Sequence, residues 1–231
     1  MRYQGGKAKI AKLIAAQIAP RGLWLEPFCG GMNMSAQFAQ YHHGVISDVH
    51  PALISYAKAL CAGWIPPEHL TRAEYESAKT LDDSNPLKGY AGFCFSFAGR
   101  YFASYAEITP GSFEHGVAYR AALKLQKAIT GRVAIARCSF FDYAPNPSVE
   151  TLYCDPPYAG TAGYLGTPKF DHAAFWDRCR EWATGGTRVF VSEYAAPDDA
   201  ICVWEKTYAH TMGTHGAKKN TTEKLFRVPA P

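Results

Sequence analysis

Short apolar runs that end in turn residues or acids recur along the chain, and they constrain its fold more than any other feature. They lie at residues 23–28, 45–48, 132–138, 151–154 and 187–192. Stretches typical of helices, such as residues 7–19 and 175–183, separate several of them. Continuous apolarity is typical of strands that are covered on both faces. This alternation predicts an α/β fold with a doubly wound, Rossmann-like sheet.

The pattern changes between residues 62 and 130, where aromatic, glycine and basic residues crowd together around residues 93–105. We interpret residues 62–130 as an inserted region that carries a hairpin around Ala98 and Gly99. Residues 1–61 and 131–231 would then form the domain that contains the sheet. A chain of 231 residues suits one compact domain with a small insertion.

Composition excludes several classes of protein. The seven cysteines are widely spaced and form no C-x-x-C pair, so neither a disulfide framework nor a zinc site is indicated. No apolar run approaches the roughly 18 residues that a membrane span needs, and we expect a cytoplasmic protein. The net charge of +4 permits a polyanionic partner but is too small to indicate one by itself.

An acid, two prolines and an aromatic residue end one of the runs, in Thr151-Leu-Tyr-Cys-Asp-Pro-Pro-Tyr158. Asp155 therefore lies at the carboxyl end of a predicted strand, where open α/β sheets bind their ligands. Together with a fixed Pro156 carbonyl, it can accept both hydrogens of an amino group, while Tyr158 can stack on a planar ring. An exocyclic aromatic amine needs such acceptors in order to act as a nucleophile. The alternative is an ordinary proline turn with a solvated acid.

A glycine loop follows the first run, in Leu25-Glu-Pro-Phe-Cys-Gly-Gly31. Glycines at a strand-to-helix turn let the backbone approach a ligand closely. Asp48 ends the next run, in the position from which a carboxylate holds ribose hydroxyls. This pattern indicates a cofactor that contains a nucleoside, although a plain turn capped by an acid would have the same residues.

Paired glycines also precede the first predicted helix, in Tyr3-Gln-Gly-Gly-Lys7. Lys7 could pair with a carboxylate, such as the methionyl group of a cofactor, or lie in solvent.

These motifs resemble the Dam-type class of DNA adenine-N6 methyltransferases. They occur in the same linear order, as Tyr3-Gln-Gly-Gly-Lys7, Glu26-Pro-Phe-Cys-Gly30, Asp48 and Asp155-Pro-Pro-Tyr158. The resemblance continues at residues 170–175, 189–192 and 222–226. It implies a Rossmann-like methyltransferase fold, S-adenosylmethionine as the methyl donor, and a target adenine flipped out of double-stranded DNA. It also implies that the inserted region at residues 62–130 recognises the target. Such a methyl transfer is direct and needs no metal.

The resemblance also assigns candidate site residues by position. Those implied to bind the cofactor are Tyr3, Lys7, Glu26, Phe28, Gly30, Asp48, Phe140 and Asp155. Those implied to engage the base, and so to be catalytic, are Asp155, Pro156 and Tyr158. The chain departs from the family pattern at Met32, where a second glycine is common, and at Phe102 and Ser104, which replace the Asn and Pro of the recognition hairpin.

Four residues are candidates for contact with DNA: Arg100, Tyr101, Lys218 and Lys219. Arg100 is flanked by aromatic residues, and its guanidinium could bond a guanine edge or hold a phosphate. The alternative is a small aromatic core beside a solvated arginine. The two lysines belong to a locally basic segment that begins at residue 206. Because the family's Asn and Pro are missing, we expect a short or relaxed recognition sequence.

Other functions are less consistent with these residues. Methylation of cytosine N4 is the nearest alternative, because the same turn could bind either exocyclic amine, but the Gly-Gly-Lys and Glu-Pro-Phe motifs favour adenine. RNA and protein-glutamine methylation rank lower, since the turn of the latter enzymes usually opens with Asn. A DNA-binding regulator without catalysis has no need of an acid that faces the base.

Overall fold

The structure is a computed structural model that describes residues 1, 3–107, 115–160, 170–212 and 217–230, without the side chains of residues 115, 209–212 and 217–219. Its helices are α1 (Ala11–Ile18), α2 (Ser35–Phe38), α3 (Pro51–Cys61), α4 (Arg72–Ala78), α5 (Pro86–Cys94), α6 (His115–Ile129) and α7 (His172–Thr184). Its strands are β1 (Leu23–Glu26), β2 (Gly44–Asp48), β3 (Val133–Arg137), β4 (Val149–Cys154), β5 (Arg188–Glu193), β6 (Ile201–Met212) and β7 (Ala217–Val228). Each of the five apolar runs overlaps one of the first five strands.

The seven strands form one sheet in the order β3-β2-β1-β4-β5-β7-β6. Neighbours among the first five strands pair in parallel, and β7 pairs antiparallel with both β5 and β6. The predicted α/β, Rossmann-like sheet is therefore confirmed. Because β1 to β5 run in one direction, their carboxyl ends share one edge of the sheet, and the residues that follow them can form a common site.

Both faces of the sheet are covered, as the continuous apolar runs predict. On one face, Leu152 and Cys154 belong to a cluster that includes Phe175 and Trp182 of α7. On the other face, Tyr153 belongs to a larger cluster with residues of α1 to α6. Neighbours along β4 thus point to opposite layers, as side chains on a strand must.

The described part of residues 62–130 contributes α4, α5 and α6 and packs on this larger cluster. Its buried residues Leu70, Tyr75 and Tyr90 share the cluster with Trp24 of β1. Whether the region recognises the target stays a prediction.

The expected hairpin at residues 93–105 is wrong in its first part. Phe93 lies in α5, which begins at Pro86 after an Asn85 cap and buries its apolar residues through Cys94. The chain reverses only afterwards, in a loop closed by an antiparallel bridge between Ser96 and Tyr105. The second half of α5 is buried on all sides, and this burial outweighs the strand propensity of the aromatic residues.

Within the described residues, no helix has the length and apolarity that a membrane span requires. All seven cysteines are free thiols.

Candidate active site

Acidic side chains lie at the carboxyl ends of four parallel strands. Glu26, Asp48 and Glu193 are the last residues of β1, β2 and β5, and Asp155 follows β4 directly. The antiparallel strand β7 adds Glu223, next to Lys224, which pairs with Glu193. So many acids at one edge require compensation, because burial and mutual repulsion both disfavour carboxylates.

The compensation at Asp155 comes from Lys7, which is buried in front of α1. Its Nζ atom lies 2.8 Å from Asp155 Oδ1 and 3.8 Å from Glu223 Oε2. Burial raises the pKa of Asp155 above its ordinary value, and Lys7 opposes that rise. Burial lowers the pKa of Lys7, but Asp155 and Glu223 together outweigh it and raise that pKa. Lys7 is therefore a charged partner that occupies one of the two oxygens of Asp155.

Tyr158 is held by contacts to several side chains, among them Asp155, to which it hydrogen-bonds. Its hydroxyl donates to Glu223 Oε2 at 2.9 Å, and the Lys7 ammonium lies 4.8 Å from the centre of its ring. The ring of Tyr194 meets it edge-on, with 4.6 Å between the ring centres. The orientation of Tyr158 is thus fixed before any base arrives.

The end of the Asp155 turn is tied to the neighbouring strand through Glu193. This carboxylate is buried and accepts hydrogen bonds from the backbone N–H groups of Ala159, at 3.0 Å, and Tyr194, at 2.8 Å. Burial raises its pKa to about 7. The turn that presents Asp155 and Tyr158 is consequently anchored to β5.

Asp48 is compensated differently, by backbone amides. Its Oδ2 accepts from the N–H of Gly30 at 3.1 Å, and its Oδ1 accepts from the N–H of His50 at 3.0 Å. Burial raises the pKa of Asp48, and these amides oppose the rise. Gly30 has a positive φ of 41°, and a Cβ at this position would lie 2.9 Å from the ring of Tyr3. A residue without a side chain is therefore needed where Tyr3 covers the loop.

Met32 confirms that the glycine loop departs from a simple pattern. It has a positive φ of 54° and is fully buried. A left-handed conformation suits glycine and costs about 1 kcal/mol or more for a residue with a Cβ. The loop keeps the backbone shape of a glycine at this position while Met32 fills the core.

Glu26 and two phenylalanines lie deeper in the same region. The Ser35 hydroxyl donates to Glu26, and burial raises the pKa of Glu26 to about 8. Phe28 packs against Phe140, with 5.6 Å between their ring centres. The acceptor at Asp48, the cradle at Gly30 and this aromatic pair fit the ribose and base of a nucleoside cofactor.

Comparison with protein families shows what part of this chain is similar to. Residues 3–94 match the model of the D12 class N6 adenine-specific DNA methyltransferases. This segment is similar to that family. It contains Tyr3, Lys7, the glycine loop and Asp48, whereas the Asp155 turn lies beyond the matched residues. The match confirms the predicted adenine-specific DNA methyltransferase, and it supports S-adenosylmethionine, the donor expected from the resemblance, as the cofactor.

The chain is also similar to solved structures, all at low identity. A candidate RNA methyltransferase from Pyrococcus horikoshii is 8% identical with a TM-score of 0.46, over 98% of this chain and 86% of that one. A candidate precorrin-6Y C5,15-methyltransferase domain from Corynebacterium diphtheriae is 11% identical with a TM-score of 0.40, over 97% of this chain and 98% of that one. These likenesses are too distant to indicate a function. No curated protein matches the chain.

The candidate DNA contacts of this methyltransferase lie in two separate places. Arg100 is exposed in the loop after α5, and the ring of Tyr101 packs 4.4 Å from that of His50. Lys218 and Lys219 lie in β7, but their side chains are outside the described part of the structure. The loop contacts the site region, since the N–H of Gln4 donates to the carbonyl of Gly99 at 3.2 Å.

Two acids of the methyltransferase site escaped the sequence analysis. Glu193 directly follows an apolar run as Asp155 does, so the same rule could have found it. Glu223 had no such signal, because it lies inside a strand whose partner could not be known from the sequence. Among the described residues, no group of three or more His, Cys, Asp or Glu side chains could hold a metal ion.

Proposed function

We propose that this methyltransferase acts on an adenine flipped out of double-stranded DNA, and that Asp155, Pro156 and Tyr158 bind the extruded base. Extrusion costs a few kcal/mol. Stacking on an aromatic side chain such as Tyr158 contributes about 1–3 kcal/mol in return. A base inside the helix could not reach an acid that is mostly buried at the edge of a sheet.

The observation that carries this proposal is the pairing of Lys7 with Asp155 in the turn that also presents Tyr158. Lys7 contacts Asp155 Oδ1 at 2.8 Å, and Tyr158 also hydrogen-bonds to the Asp155 carboxylate. The target amine would take the place of the Tyr158 hydroxyl, which has Glu223 as its other acceptor. The two prolines fix the backbone and give the turn carbonyl acceptors in place of N–H donors. Both hydrogens of an amino group can be accepted there, by Asp155 and by the carbonyl of Pro156.

These acceptors would convert the amine into a nucleophile. Hydrogen bonds from both amine hydrogens draw the nitrogen lone pair out of the ring and toward the methyl group. S-adenosylmethionine supplies, when bound, a methyl group activated by the positive charge on sulfur. The nitrogen held by Asp155 and Pro156 would form the new bond to the methyl carbon, and the sulfur would keep the electron pair of the bond that breaks. Asp155, whose pKa burial raises, is then the acceptor for the proton that the nitrogen loses.

Charge in the site supports a cationic methyl donor. Lys7 neutralises one of the two carboxylates that face it, Asp155 and Glu223, and the other leaves a net negative charge. Preorganised negative charge stabilises a positive charge as it moves from sulfur to nitrogen. Asp48 is the proposed acceptor for the ribose hydroxyls, and Tyr3, Glu26, Phe28, Gly30 and Phe140 surround the same loop as proposed cofactor contacts.

Nucleoside mass spectrometry of DNA from cells that express the chain tests this function. N6-methyladenine should appear in cells with the wild-type protein and be absent from cells that carry the empty vector. N4-methylcytosine instead would mean that the turn binds the other exocyclic amine. The absence of both methylated bases would contradict the proposal.

A further inference from the structure

We propose that Glu223 of β7 is a positioning residue for methyl transfer, which holds Tyr158 and Lys7 so that Asp155 keeps one oxygen for the target amine. This role rests on the function proposed above. It adds a residue from the last strand to a site otherwise built from the carboxyl ends of parallel strands.

The contacts of Glu223 converge on a single oxygen. Glu223 Oε2 accepts from the Tyr158 hydroxyl at 2.9 Å and lies 3.8 Å from Lys7 Nζ. Lys7 in turn contacts Asp155 at 2.8 Å. Asp155 and Tyr158 belong to the same turn. The side chains of Lys7, Asp155, Tyr158 and Glu223 therefore form a ring in which each lies next to two others.

The register of β7 explains why this acid reaches the site. Glu193 at the end of β5 pairs with Lys224, so Glu223 lies just past the carboxyl edge of the parallel strands. Side chains alternate along a strand, and Glu223 therefore points away from the face of Lys224 and its cross-strand partner Glu205. Glu223 is 19% exposed, whereas Glu205 is an exposed surface acid.

An amide at residue 223 would change both of its contacts. Lys7 would face one carboxylate instead of two, and the ammonium would be drawn to Asp155, where it competes with the amine for the same oxygens. The Tyr158 hydroxyl would lose a charged acceptor, and such hydrogen bonds are stronger than neutral ones. Both changes act on the geometry of the reacting base and leave the surface that binds duplex DNA unaltered.

The experiment compares Glu223→Gln with Glu205→Gln, a matched change on the opposite face of the same hairpin. Glu223→Gln should lower kcat about tenfold while KM for duplex DNA stays within about twofold. Glu205→Gln should match the wild type in both constants. Tyr158→Phe removes the same hydrogen bond from the other side. The loss of kcat in the Tyr158→Phe, Glu223→Gln double variant should therefore be smaller than the product of the losses in the two single variants.

Three outcomes would overturn the role of Glu223 while the wild type makes N6-methyladenine. The first is an unchanged kcat in Glu223→Gln, and the second is full multiplication of the two single effects in the double variant. The third is a loss of activity that disappears when rates are divided by the concentration of folded active sites, because a purely structural role predicts that result. A wild type that forms no N6-methyladenine would instead contradict the proposed function itself.

Discussion

Asp155 and Asp48 are two acids at the same edge of one sheet, and they are stabilised by different means. Asp155 depends on Lys7, a side chain that precedes the first helix, at a distance of 2.8 Å. Asp48 depends on two backbone N–H groups from its own strand end and the neighbouring glycine loop, at 3.0 and 3.1 Å.

The difference separates a reactive acid from a binding acid. A carboxylate paired with a side-chain cation can lose its stabilising partner through one substitution, because that partner is a single residue far away in the sequence. A carboxylate held by amides keeps its partners as long as the loop keeps its shape. We therefore expect substitutions around Asp155 to change the rate and those around Asp48 to change cofactor affinity.

Removing the cation from the first acid should have the largest effect on stability. Lys7→Met leaves Asp155 and Glu223 facing each other without their shared partner, and breaking such a pair costs about 3 kcal/mol. Urea denaturation at neutral pH measures this loss. Lys12→Met is the control, because Lys12 is exposed in α1, the helix that follows Lys7. Equal stability of the two variants would show that Lys7 does not compensate these acids.

Removing the second acid should weaken the cofactor site and spare DNA binding. Asp48→Ala should lower the affinity for S-adenosylmethionine by about 10- to 100-fold, because it deletes a charged acceptor. Titration calorimetry gives the affinity for the cofactor, and fluorescence anisotropy gives the affinity for duplex DNA. If the variant binds the cofactor as tightly as the wild type, Asp48 is a strand-end cap and the contrast with Asp155 disappears.

Glu26 lies between the two acids, and both raise its pKa in addition to the dominant effect of burial. Its pKa in the folded protein is about 8, above the ordinary value of 4.5. At pH values between these two, the folded state therefore binds more protons than the unfolded state. The stability that this provides is complete below the unfolded pKa and is lost as pH rises through the folded one.

Between about pH 6 and 7.5, this titration should lower the stability of the wild type relative to Glu26→Gln by about 2 kcal/mol. Denaturation of both proteins across this range tests it, and the titration of Glu193 cancels in the difference. Parallel stability curves for the two proteins would mean that Glu26 is ionised throughout.

Arg100 lies away from both Asp155 and Asp48, and its substitution should have the smallest effect of these variants. Arg100→Ala should lower methylation about tenfold at one base pair if the guanidinium reads a base. A uniform loss with a shallower salt dependence indicates a phosphate contact instead. Sequencing that detects N6-methyladenine distinguishes these results. An unchanged pattern at an unchanged rate would exclude Arg100 from recognition.

The sequence predicted the sheet and the two acids because both follow from local patterns. An apolar run that ends in an acid places that acid at a strand's carboxyl end, and this rule located Asp48 and Asp155 correctly. It also applies to Glu193, which was overlooked.

The sequence could not predict features that depend on distant pairing. Glu223 reaches the site only because β7 inserts antiparallel beside β5, and strand order is not encoded locally. The pairing of Lys7 with Asp155, rather than with a cofactor carboxylate alone, depends on the same assembly. The crowding of aromatic and glycine residues predicts a hairpin that includes Phe93, whereas Phe93 is buried in the larger core cluster at the end of α5.

The most direct test of the central claim is the single-turnover rate of methyl transfer to duplex DNA by purified wild type and Asp155→Ala. With an isotope-labelled methyl donor, the wild type should place the label on adenine N6. A folded Asp155→Ala protein should be slower by about 10²- to 10³-fold, because it lacks the acceptor for the amine. Circular dichroism establishes that the variant is folded. A folded Asp155→Ala protein that methylates adenine at nearly the wild-type rate would contradict the account.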